Sequence, residues 1–276
     1  MRTLLIINDN SPAARHAAEF ALIIAQKMRA DVLLLNTAEV VTERMKKVTA
    51  GDVDNDFEDH RASEMLRHLR SLSDDGNCFK PGVAEFGTSE IMETAVSDFI
   101  NKNDIWMIIK GMPDSTSDAA PKSSLNIHAV LNRVLCPLLL VPEHWQIKDI
   151  ERMVYIADLR YCALQIVRFL AGVAREHKAA LSIAHISAKG LPDISEKYAL
   201  DLFSEAVSAK VNYDHMFFNN IKEKDLAKAV DVLINGMHND ILVLANHRFH
   251  FEEIVGRYIT ETLPIHISIP LLVFPY

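Results

Sequence analysis

The chain is written twice, and that duplication limits what it can fold into. "TLLIINDN" opens the first half as a strand-like run ending in an acidic turn, and "ERMVYIADLR" opens the second in the same way. Each is followed by a long segment with apolar residues at three- and four-residue steps, which predicts a helix with one buried stripe. Ser11–Pro12 supplies an N-cap and first-turn pair for the first of these helices. The strands "DVLLLN" and "LSIAHI" come next. "SEIMETAVSDFINKN" and "DLAKAVDVLINGMHN" are a second matched helix pair, feeding "IWMIIKG" and "DILVLAN". Each half closes on a helix running into a Pro-led apolar strand, "CPLLLVP" in one and "IPLLVFP" in the other.

The spacing of matched residues tests the repeat. Asp9 and Asp158 lie 149 positions apart, Gly111 and Ala245 134, and Pro137 and Pro270 133. The register is nearly constant through the C-terminal part of each half. The shortfall falls on the polar stretch "TERMKKVTAGDVDNDFEDHRASEMLRHLR", expected as a longer helix or a surface excursion. Strands this apolar, alternating with helices, indicate a parallel sheet with helices on both faces. Two α/β domains in tandem are expected, 1–146 and 151–276, with the boundary in "PEHWQIKDIERM" at residues 143–150.

Composition excludes several classes. A net charge of −8 opposes a non-specific grip on nucleic acid, which needs clustered Lys and Arg to release counterions. Three cysteines, Cys78, Cys136 and Cys162, have no CxxC spacing and suit reduced thiols. No segment approaches the roughly 18 apolar residues of a membrane span, and the opening apolar run is too short for a signal sequence. The expectation is a cytoplasmic protein without nucleic-acid or membrane partners.

In these residues the sequence resembles a tandem universal stress protein. The features are "IINDNSPAARHAAEFALIIA", "RADVLLLN" and "RVLCPLLLVP", repeated as "YIADLRYCALQIVRFLAG", "KAALSIAHI" and "SIPLLVF". The resemblance implies two Rossmann-like domains of the adenine nucleotide alpha hydrolase type. Each would have a five-stranded parallel sheet of order 3-2-1-4-5, and the halves would pair through their last strands as an intramolecular pseudo-dimer. A further homodimer and unidentified protein partners are open possibilities.

The resemblance also points to a loop. Nucleotide-binding members carry, after the fourth strand, Gly, two residues, Gly, nine residues, Gly and then Ser or Thr, because phosphates are held by backbone N–H groups that a Cβ would block. The first half keeps Gly111 but places Asp114, Ser124 and Leu125 at the following positions, with Ser123 beside them. Asp114 and Asp118 would repel a polyphosphate. Ser123 and Ser124 would donate hydrogen bonds, or one of them would simply cap the next helix. The second half departs further, with Ala245 and Arg248 at the first two glycines and Arg257 and Tyr258 at the closing pair. Gly256 is one position out of register. Asp9 and Asp158 stand where the resemblance implies a contact to adenosine. Each also suits an Asx turn at a strand end.

The second half is rich in histidine (His177, His185, His215, His238, His247, His250, His266), with no spacing that matches a zinc site. Nucleophile elbows, P-loops and dinucleotide fingerprints are absent from the sequence. The expectation is a non-catalytic, stress-response binding protein without a cofactor. Its alternative is an ATP- or AMP-binding protein that uses the first half alone, through Asp9, Gly111, Ser123 and Ser124; a weak ATP hydrolase is a third reading.

Overall fold

The computed structural model describes residues 2–37, 63–73, 79–87, 92–114, 125–223 and 225–275. The first half runs β1 (Arg2–Asn8), α1 (Pro12–Met28), β2 (Ala30–Asn36), α2 (Glu64–Ser73), β3 (Val83–Gly87), α3 (Glu93–Lys102), β4 (Ile105–Met112), α4 (Ile127–Leu131) and β5 (Leu138–Pro142). The second runs β6 (Arg152–Ala157), α5 (Leu164–His177), β7 (Ala180–His185), α6 (Glu196–Leu202), β8 (Met216–Asn220), α7 (Leu226–Asp231), β9 (Ile241–Ala245), α8 (Phe249–Ile254) and β10 (Leu271–Phe274).

All ten strands form one sheet, in the order β3-β2-β1-β4-β5-β10-β9-β6-β7-β8. Each half reads 3-2-1-4-5 and is parallel throughout. The two meet where β5 and β10 pair antiparallel, Leu140 against Leu271, Leu139 against Leu272 and Leu138 against Val273. These side chains are buried, so the joint is continuous with both cores. It also hides two apolar strands that would otherwise be exposed edges.

Helices reinforce the joint. Trp106 on β4 stacks on Phe169 of α5 at 4.8 Å, and Phe169 meets Phe274 of β10 edge-on at 5.2 Å. Lys27, in the last turn of α1, reaches Asp149 in the connection at 3.6 Å. The connection itself is pinned by Asp240, whose buried Oδ2 accepts the backbone N–H groups of Glu151 and Arg152 at 2.8 and 2.9 Å while Oδ1 pairs with Lys148.

Local structure differs from the sequence expectation in three places. The helix after Asp158 begins only at Leu164, because Leu159–Tyr161 first makes a tight 3₁₀ turn capped by the Asp158 carboxylate. The closing helix of the second half is α8, upstream of the expected segment. Residues 255–270 are turns, broken by Gly256 at φ 105° and by Pro264 and Pro270. The cap of α4 is Asn126, whose Oδ1 accepts the Ala129 N–H at 3.1 Å, in place of Ser123 or Ser124, which lie outside the described residues. Most of the long polar stretch of the first half lies outside them too; its end forms α2.

Candidate functional site

In open parallel sheets ligands bind beyond the carboxyl ends of the strands, where the strand order reverses. Here that place occurs twice, between β1 and β4 and between β6 and β9.

In the first half β1 delivers Asn8 and Asp9 to this point. Asn8 is fully buried and donates from Nδ2 to Asn36 Oδ1 on β2 at 2.7 Å; Asn36 in turn donates to Glu85 on β3. A ladder of polar side chains thus ties the strand ends together. Asp9 is half-buried and its Oδ1 accepts the Ser11 N–H at 3.0 Å, which is an Asx turn. Ser11 then caps α1, accepting the Ala14 N–H at 3.0 Å, with Pro12 in the first turn as the sequence indicates.

Gly111, near the end of β4, has a packing role. A Cβ there would stand 2.0 Å from the carbonyl oxygen of Ala13 and 2.6 Å from the Ala14 nitrogen. Only glycine lets the first turn of α1 lie against the strand. Asp114 follows, 2.7 Å from His144. Leu125, at the position where the resemblance places a hydroxyl, is buried.

The second half treats the same place differently. Asp158 is 5% exposed and turned inward. Arg160 grips it with two prongs, Nε to Oδ1 at 2.8 Å and Nη2 to Oδ2 at 2.5 Å, and the backbone N–H groups of Arg160 and Ala188 add bonds at 3.0 and 3.2 Å. Burial alone would raise this carboxyl, but the Arg160 side chain and then the backbone donors outweigh it, and the group is held below its ordinary value. Arg160 Nη1 also donates to the Pro192 carbonyl at 3.0 Å, which fixes the guanidinium.

Two buried imidazoles stand behind this pair. His185 Nδ1 accepts the Leu159 N–H at 3.2 Å, and His250 Nε2 donates to the Ile186 carbonyl at 2.8 Å. Burial pushes both histidines down, which keeps them neutral. In front lies a cavity of about 250 Å³ walled by Tyr155, Tyr161 and Phe249, with His247 and Arg248 from the loop after β9. It adjoins a cleft of about 700 Å³ over the ends of β7 and β8, sharing Ala188 and Phe249.

Asp9 and Gly111 come together at one switch point, and Asp158 occupies the other. His185 and His250 belong to the histidine-rich set, but the sequence does not show that they and Arg160 gather around Asp158. The only signal was the Asp-Leu-Arg spacing, which puts a guanidinium two residues from the carboxylate. Among the described residues no Ser, Thr or Cys side chain is hydrogen-bonded to an imidazole, and no group of three or more His, Cys, Asp or Glu side chains is arranged to hold a metal ion. The thiols of Cys136 and Cys162 are pushed up to about 12 by burial, which makes them poor nucleophiles.

Fold and site together define a tandem, doubly wound α/β protein with two strand-end clefts around a pseudo-twofold joint. No family model matches the sequence, and no curated protein does. Solved structures do match. A universal stress protein from Archaeoglobus fulgidus superposes with a TM-score of 0.63 at 12% identity, covering 99% of this chain and 97% of its own. A functionally unknown protein from Pseudomonas aeruginosa gives 0.51 at 12%, over 99% and 92%. The cytoplasmic domain of a prokaryotic cation chloride cotransporter gives 0.50 at 11%, over 99% and 94%. The chain has the tandem universal stress protein fold, and among its described residues no helix is long and apolar enough to cross a membrane.

Proposed function

We propose that the chain is a stress-response binding and regulatory protein, not a catalyst. Its two domains, 1–146 and 151–276, carry nucleotide sites that have decayed, the second further than the first. The observation behind this reading is the grip of Arg160 on Asp158. A carboxylate with both oxygens engaged inside the protein has nothing left to offer a ribose or adenine, and Ala245 and Arg248 replace the glycines that backbone-held phosphates need. The cavity that remains suits a small ligand better than a nucleoside triphosphate.

Two observations favour a second reading, in which domain 1 binds ATP or AMP through Asp9, Gly111, Ser123 and Ser124. Asp9 spends one oxygen on a backbone N–H, and no cation pairs with it among the described residues. Asp114, the carboxylate that would repel phosphate, is paired with His144.

Calorimetric titration with Mg-ATP and AMP separates the two, together with extraction of any nucleotide that co-purifies. The first reading expects no saturable heat and no extracted nucleotide. One site per chain, abolished by Asp9→Ala and unaffected by Asp158→Ala, establishes the second. Steady ADP release overturns the non-catalytic assignment.

A further inference from the structure

The pseudo-twofold axis brings the residues at and just after the end of each fourth strand, Met112–Asp114 in one half and Asn246–His247 in the other, against the segment before the other half's last strand. On one side Asn246 Nδ2 and His247 Nε2 both donate to Asn132 Oδ1, at 2.8 and 3.0 Å, and these bonds bridge the halves. The repeat spacing carries Asn246 and His247 onto Met112 and Pro113, and Asn132 onto Ile265. On this second side the polar clasp is replaced by apolar side chains that cannot hydrogen-bond, and a cavity of about 310 Å³ stands open between the halves.

Its walls are Met112 and Pro113 from the first half, Leu263, Pro264 and Ile265 from the second, and Trp145 at the joint. Trp145 is only 7% exposed and is fixed edge-on against Phe20 at 4.8 Å. Ile265 on the lip is 96% exposed, an unusual place for a large β-branched side chain, beside a cavity lined by both apolar and polar groups. The lining has one carboxylate, Asp114, with His144 as its partner, and the hydroxyl of Ser268.

We propose that this cavity binds a small amine with a compact apolar body, the body lying on Trp145 and Ile265 and the ammonium on Asp114. Size and charge both support that class. An apolar cavity of about 150 Å³ accepts benzene, so twice that volume takes a fused two-ring body. The one carboxylate in the lining faces only the exposed imidazole of His144, which an ammonium can displace, and the chain's net charge is −8; both favour a cation over an anion. The site draws on both halves and shares Asp114 with the loop of the nucleotide reading, but its walls from the second half take no part in that reading.

The test uses the full chain and three matched probes: 2-aminoindane, indane and indane-2-carboxylate. Trp106→Phe leaves Trp145 as the only indole, so its emission reports the cavity; calorimetry on the unaltered chain ranks the probes without that replacement. The expected result is saturable binding, tightest for the amine and weakest for the carboxylate. Asp114→Asn should weaken the amine about tenfold, the loss of a charge-assisted hydrogen bond, and leave indane unchanged. Ile265→Gln, at an exposed position that keeps the fold intact, should weaken all three. No saturable change, equal binding of amine and carboxylate, or indifference to Ile265→Gln overturns the proposal. So does a concentration-dependent dimer in sedimentation that Ile265→Gln disperses, which assigns the face to a second copy of the chain.

Discussion

The two strand-crossover points have the same topology and opposite interiors. In the first half α1 starts four residues after β1 and presses on β4, which is possible only because Gly111 has no side chain. In the second half a 3₁₀ turn intervenes, α5 starts later, and Ala245 is accommodated at the matching position. The acidic residue follows the same division. Asp9 makes a partly exposed turn, whereas Asp158 is drawn inside and neutralised by Arg160. The comparison teaches that a residue kept in register through a duplication need not keep its role. Position fixes where the side chain begins, and the neighbours decide what it does.

The sharpest way to break the comparison is Gly111→Ala set beside Ala245→Gly. The added methyl in the first half collides with backbone that cannot step aside, and should cost about 3 kcal/mol or more in urea unfolding. The reverse change should cost only about 1 kcal/mol, the usual penalty for glycine in a strand. Equal effects would remove the claimed asymmetry.

Arg160→Met comes next. It leaves the Asp158 carboxylate buried with backbone donors alone and should destabilise by about 3 kcal/mol. Asp9→Ala, which loses one turn hydrogen bond, should cost about 1 kcal/mol. The double change Asp158→Leu with Arg160→Met should recover much of the loss, since it removes both charges.

Acid acts mainly on the second half, where three histidines are depressed against His128 alone in the first among the described residues. His177, at the end of α5, is lowered to about 4 by burial and then by Lys27, and neither of its buried ring nitrogens has a partner. His185 and His250 are lowered by burial as well. A histidine depressed in the folded state takes up its proton more readily when unfolded, so its stabilisation is complete above about pH 6.5 and drains away as pH falls toward the folded value. The urea midpoint should be flat above neutrality and drop below about pH 6.5. His177→Phe should recover on the order of 2 kcal/mol of that drop. Asp158 has the other sign: its depressed carboxyl stabilises above the ordinary carboxylate range and fails only when acid reaches its folded value. A midpoint unchanged between pH 7 and 5 would contradict the burial of these histidines.

Much of this architecture was legible before any coordinates. The duplication, the parallel strands and the 3-2-1-4-5 order follow from apolar runs at repeated spacing and the family they resemble, and the apolar last strands announced their need for cover. The helix cap at Ser11 was readable because it depends on residues three apart. The site was less so. Gly111 was recognised by its motif position, but its neighbour is Ala13, far away in the chain. Asp158 was noticed, yet its burial depends on Ala188 in the turn after β7, and on His185 at a strand end and His250 on a helix 65 residues further on.

Sequence by itself determined the order of elements, the duplication and the residue types available at each strand end, because those depend on local periodicity and spacing. Tertiary structure alone decided which carboxylate is silenced, which glycine is structural and where the halves leave a gap. Those outcomes depend on distances between segments far apart in the chain, and on whether a neighbouring side chain supplies a hydrogen bond or only bulk.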